Sequence, residues 1–159
     1  MKLETLVGVS EVVASLAVVV SLIVLVFEVR DNTEAVRRAS YDALTDKLFE
    51  WRLAMAEDET LNSLFFKETT GENNDDGWAL SGEDRHRFQV YIQALWHVYE
   101  QAFYAHRYGD LGVEEWKRFE SRICGPIPIL VWDTPRAGIK ANMSSEFVRF
   151  VEDCHEDWQ

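Results

Sequence analysis

His97 and Glu100 stand three positions apart, so on a helix an imidazole and a carboxylate share one turn. His86 lies about three turns earlier on the same polar face. Such a set could hold a metal, because diiron bundles combine Glu-x-x-His pairs with carboxylates from partner helices. Here the order is reversed and no second copy exists, so amphipathicity alone accounts for the pattern. The acidic run Glu72–Asp76 does not match the D-x-D-x-D-G-x5-E spacing of a calcium loop. His106 falls on an apolar helix face and is expected to be a satisfied boundary histidine. No phosphate-cradling glycine loop or nucleophile elbow occurs. The reading assigns no catalytic residues, no cofactor and no metal, and takes the chain as non-enzymatic.

The remaining candidate chemistry lies in and around an apolar stretch. Val12 to Phe27 holds no charge, no Pro and no Gly, and with its Leu3–Ser10 lead-in the segment reaches about 25 residues. A helix needs about 20 residues to cross ~30 Å of hydrocarbon. A retained anchor fits better than a cleavable leader, because only Lys2 precedes the run and no Ala-x-Ala site follows it. It also fits better than a core helix, which would carry a polar face. Within the span, Ser10, Ala14, Ala17 and Ser21 recur at helical spacing as one narrow stripe, opposite bulky Val12, Val19, Ile23 and Val26. Small residues in a stripe let helix backbones approach closely, which predicts self-association. Glu11 is the one ionisable residue inside the stretch, and such residues mark an ion path, a polar contact or the interface.

Arg30, Arg37, Arg38 and Lys47 follow the span, while Lys2 and the terminal amine precede it. The positive-inside bias then puts the N-terminus outside and the large C-terminal domain in the cytoplasm. Cys124 and Cys154 lie outside any Cys-x-x-Cys spacing and are expected to be separate, reduced, buried thiols, in agreement with a cytoplasmic domain.

Twenty-eight acids against sixteen bases give a net charge of −12. Nucleic acid is excluded as a partner, since binding it needs clustered cations. The same charge keeps the domain body off an anionic lipid surface.

The elements that must position these residues are helical throughout. We expect an all-α chain: a transmembrane anchor over residues 1–30, continuing into a helical domain over 31–159 of about four to five helices. The first helix should run to about Ala56, with Tyr41, Leu44, Leu48 and Trp51 on one stripe. Asp58 should cap a short helix through Leu61, Leu64 and Phe65. Residues 69–82 are rich in Gly, Asn and Asp and read as a flexible acidic loop. Ser81 should open a helix to Tyr108, stopped by Gly109. Its apolar face carries Phe88, Tyr91, Ile92, Leu95, Val98, Tyr99, Ala102 and Phe103. Val113, Trp116, Phe119 and Ile123 define a helix ending at Gly125. The apolar segment from Pro126 to Trp132 reads as buried, and Ser144 or Ser145 opens a last helix through Phe147, Phe150 and Val151.

The segments Ser10-Glu11, Leu16–Ile23 and Glu28–Thr33, followed by Val36, Arg37 and Ala39, resemble the start of a widespread group of uncharacterised small bacterial single-pass membrane proteins. The similar tail is Ser145–Phe147 with Phe150–Glu152. Glu28 stands where that group usually has Gln. The resemblance implies an inner-membrane location, an N-terminal transmembrane helix before a helical domain, and Glu11, Arg30, Asn32 and Thr33 acting together at the two membrane boundaries. With Glu28, these are the candidate polar membrane contacts.

The functional expectation is a membrane-anchored assembly or accessory protein. Its partners would be the lipid bilayer and either further copies of itself or other membrane subunits. The surplus of aromatics, six Trp among them, is read as exposed for such contacts. The alternative is a small homo-oligomeric channel or transport-related assembly with Glu11 at the outer mouth.

Overall fold

The computed structural model describes residues 3–70, 80, 82–125, 132 and 138–156, with side chains from Val13 onward except at 69 and 156. Its elements are α1 (Leu3–Glu57), α2 (Glu59–Thr70), α3 (Gly82–Arg107), α4 (Val113–Ile123), a 3-10 turn (Lys140–Asn142) and α5 (Ser145–Glu156). No strand occurs among the described residues, and the all-α expectation is met.

The chain divides into two compact units, Met1–Arg38 and Ala39–Gln159. The division falls later than the expected 30/31 boundary. Residues 31–38 remain helical with exposed side chains, and packing starts only where Ser40 and Tyr41 become half-buried and Leu44 fully so. Chain composition marks where lipid-like sequence ends, whereas the compact unit begins where a helix face first finds neighbours.

In the first unit the helix carries twelve large apolar side chains from Val13 to Val29, each at least half exposed. This helix is long and apolar enough to cross a membrane, and none of its apolar window is buried.

The second unit is organised on α3, which packs against both α2 and α4. The α1 stripe contributes Leu44 and Leu48 to the core, with Tyr41 and Trp51 against its edge. Asp58 stops α1 and starts α2: its Oδ1 accepts the backbone N–H groups of Thr60 at 2.9 Å and Leu61 at 3.2 Å. Those are two donors that a helix start otherwise leaves unpaired. Helix α2 then runs through Thr70, so the expected loop loses its first two positions to helix. The rest of that loop over 71–79, and the Ser81 cap, lie outside the described residues. So do 133–137 and also 126–131, the larger part of the segment whose burial was expected; its last residue, Trp132, is described and buried.

Helix α3 ends at Arg107, and Gly109 supplies the reversal at φ 84° that a side chain would strain. Beyond it the N–H groups of Asp110 and Leu111 both reach the Ala105 carbonyl, at 2.8 and 3.0 Å. Leu111 is thereby buried and α4 is aimed back along α3.

The core centres on an aromatic cluster. Trp96 lies 4.4 Å from Trp132 between ring centroids, and Phe147 contacts both at 6.2 Å. Phe103, Trp116 and Phe150 continue it toward α4. The expectation of exposed tryptophans is therefore overturned for Trp96, Trp116 and Trp132, which are all buried, while Trp51 is half-buried. Large aromatic side chains remove so much apolar area from water that they dominate core energetics, which draws these tryptophans inward.

Candidate functional site

Ala14, Ala17 and Ser21 all lie exposed on the apolar helix, at the spacing that makes them one stripe. Ser10 and Glu11 belong to the same helix, but their side chains lie outside the described residues. The Ser21 hydroxyl donates to the Ala17 carbonyl at 2.8 Å, one turn back in its own helix. Its proton is thus spent locally, and what Ser21 can offer a neighbouring helix is small size and a lone pair.

Below the stripe, Glu28, Arg30 and Asn32 are exposed, and among the described residues no hydrogen bond or ion pair joins them into a unit. Thr33 turns its hydroxyl onto the Val29 carbonyl at 2.8 Å, and Arg38 pairs with Glu34. These interactions stay within one helix.

The histidine–carboxylate pair has a structural occupation. His97 Nδ1 approaches Glu100 Oε2 at 3.7 Å, while Glu100 Oε1 accepts the Ser144 backbone N–H at 2.7 Å. One turn further along α3, the Tyr104 hydroxyl donates to Ser144 Oγ at 2.8 Å, and that oxygen caps α5 by accepting the Phe147 N–H at 3.3 Å. Glu100 and Tyr104 therefore hold the start of α5, with the Arg107–Glu146 ion pair beside them. The spacing places Glu100 on the polar face with His97. It gives no sign that this face meets the backbone of another helix.

His106 behaves as expected for a boundary residue. Its ring stacks on Trp116 at 5.0 Å, nearly parallel at 2°, with Nδ1 3.5 Å from the Leu111 carbonyl. Among the described residues, no group of three or more His, Cys, Asp or Glu could hold a metal ion.

The expectation of two separate thiols is overturned. Cys124 and Cys154 form a disulfide, their Cα atoms 5.6 Å apart. The pairing follows from packing: α4 and α5 share the Phe103–Trp116–Phe150 cluster, and this brings the residue after α4 beside the last turn of α5. A separation of 30 residues contains no sign of that meeting. The available signal is positional and covers one partner, since Cys124 stands one residue before the predicted helix end at Gly125. Next to the bond, His155 is buried with Nε2 3.3 Å from the Ile123 carbonyl, and its Nδ1 finds no partner among the described residues.

Asp58 and Tyr91 are among the ionisable groups of this unit displaced from their ordinary values. The N–H groups of Leu61 and Thr60 hold the Asp58 carboxyl below the usual range. Burial pushes the Tyr91 phenol up to about 12.

Comparison with protein-family models, with curated proteins and with solved structures finds no match to this chain.

Proposed function

We propose that this protein is a membrane-anchored, non-enzymatic helical assembly protein. In this reading, α1 crosses the bilayer once and self-associates through Ser10, Ala14, Ala17 and Ser21, or docks there against another membrane subunit. The observation that carries the proposal is the unburied apolar surface from Val13 to Val29. So large an apolar area in water would be strongly unfavourable, and lipid or another apolar helix removes that cost. The small-residue stripe then decides which side of the helix meets a neighbour.

The non-enzymatic part is supported by Glu100, the carboxylate of the His97–Glu100 pair, being engaged in fixing α5. Arg30, Arg37, Arg38 and Lys47 support retention of the 39–159 unit on the cytoplasmic side, while the Cys124–Cys154 bond withdraws the support expected from separate reduced thiols. The resemblance of the first forty residues to small bacterial membrane proteins supports the bacterial inner membrane.

The test is the mass and partner content of the full chain extracted in mild detergent. A homo-oligomer that dissociates on Ala17→Leu while Val19→Leu leaves it intact is the expected outcome. A monomer, or an oligomer indifferent to Ala17, removes the self-association reading. A chain that stays in solution without detergent removes the anchor itself.

A further inference from the structure

The end of α5 is fastened differently from its beginning. At the start, Glu100, Tyr104 and the buried side chains of Phe147 and Val151 fix it to α3 and the core. At the last turn two adjacent residues meet the end of α4: Cys154 bonds to Cys124, and His155 meets the carbonyl of Ile123. The second contact is costly. With Nε2–H donating to Ile123, the His155 Nδ1 lone pair is buried with no partner among the described residues. A buried acceptor left unpaired favours any motion that returns it to water. Docking of the last turn therefore leans on the covalent bond beside it, and both cysteines are only half-buried, within reach of small thiols.

We infer that Cys124–Cys154 is a redox clasp: closed, it holds the last turn of α5 on α4, and opened by small cellular thiols it lets that turn swing into solvent with His155. The exchange balances simply. A thiolate attacks one sulfur and forms a mixed disulfide, and the other cysteine leaves as a thiolate that takes up a proton. A second thiol then displaces the first cysteine, so two thiols are oxidised to one disulfide for each protein bond reduced. Closing it needs a two-electron oxidant of the diamide class, which takes both electrons and both protons. This inference rests on the cytoplasmic placement proposed above, since a bond facing a reducing compartment is made and broken there whereas one outside would persist.

Two measurements on the full chain test it. In detergent, hydrogen exchange is followed with and without dithiothreitol. Backbone amides of residues 152–156 should lose protection on reduction, while those of α3 stay protected. Cys154→Ser should show the open pattern whether or not reductant is present. Unchanged protection at 152–156 would overturn the clasp, as would loss of protection in α3 together with it. In cells, a membrane-permeant maleimide should label both thiols before diamide treatment and neither after it. A pair that is bonded in untreated cells overturns the clasp. Labelling by an impermeant maleimide in intact cells after external reduction overturns the cytoplasmic placement as well. Free, internally located thiols that fail to bond under diamide overturn the clasp alone.

Discussion

Trp51 and Tyr91 hold each other by both ends. The indole Nε1–H donates to the Tyr91 carbonyl at 3.0 Å, the Tyr91 hydroxyl donates to the Trp51 carbonyl at 2.6 Å, and the rings stack at 4.5 Å. Each side chain thus satisfies the other residue's backbone, and α1 is registered against α3 at this level. Tyr91→Phe keeps the stacking and loses one hydrogen bond, which should cost about 0.5–1.5 kcal/mol in denaturant unfolding. Adding Trp51→Phe should cost less or more than the simple sum, because contacting residues couple. Strict additivity would show that the two do not act together.

The same phenol gives an alkaline signature. Burial raises its pKa from 10 to about 12, so the folded chain keeps this proton at pH values where the unfolded chain has lost it. Its contribution to stability is complete below pH 10 and disappears as the pH rises through about 12. Tyrosinate absorbance of the folded protein should show late titration near that pH, and Tyr91→Phe should diminish it by one phenol while Tyr99, also raised by burial, remains.

Asp58 works in the opposite direction. Its carboxylate is the acceptor in the α2 cap, and its folded pKa lies below the ordinary value because the Leu61 N–H favours the charged form. The cap is fully effective above the unfolded carboxylate pKa and weakens as the pH falls through the lowered folded one. Asp58→Asn should retain the helix start and abolish that acid dependence. Asp58→Ala should fray α2 at every pH, read by amide exchange at Thr60 and Leu61.

The α3–α5 junction predicts a graded series. Glu100→Ala leaves the Ser144 N–H without its charged acceptor and should cost about 1.5–3 kcal/mol. Glu100→Gln keeps a carbonyl in reach and should recover part of that loss. Equal effects of the two would mean that the carboxylate oxygen on Ser144 is not what holds α5.

The core is the least forgiving region. Phe147 is fully buried among Trp96, Phe103 and Trp132, so Phe147→Ala should cost about 3–5 kcal/mol. The exposed Phe49→Ala should stay within about 0.5 kcal/mol in the same urea titration.

Local signals carried the helices well. Asp58 at a cap, Gly109 at a reversal, Ser144 before α5, and the Tyr41–Leu44–Leu48–Trp51 stripe each act through neighbours within a few residues, so chain order reveals them. Trp96 is the informative failure. Four residues after Ile92 and three before Tyr99, it stands on the apolar stripe of α3 although the face drawn from the sequence omitted it, whereas its partners Trp132 and Phe147 arrive from distant parts of the chain. The Cys124–Cys154 bond and the Glu100–Ser144 contact escaped for the same reason: each depends on where two helices meet. Of the membrane-related residues, the stripe spacing was legible from the start. That Ser21 donates its proton to Ala17 needed backbone geometry.

The Trp96–Trp132 pair has a practical corollary. Two indoles 4.4 Å apart at 47° couple their electronic transitions, so the folded domain should carry its own optical gauge of interior order. A chiral near-ultraviolet signal of this kind survives only while Trp132 stays against Trp96, so the pair can be followed in the full chain without attaching any dye.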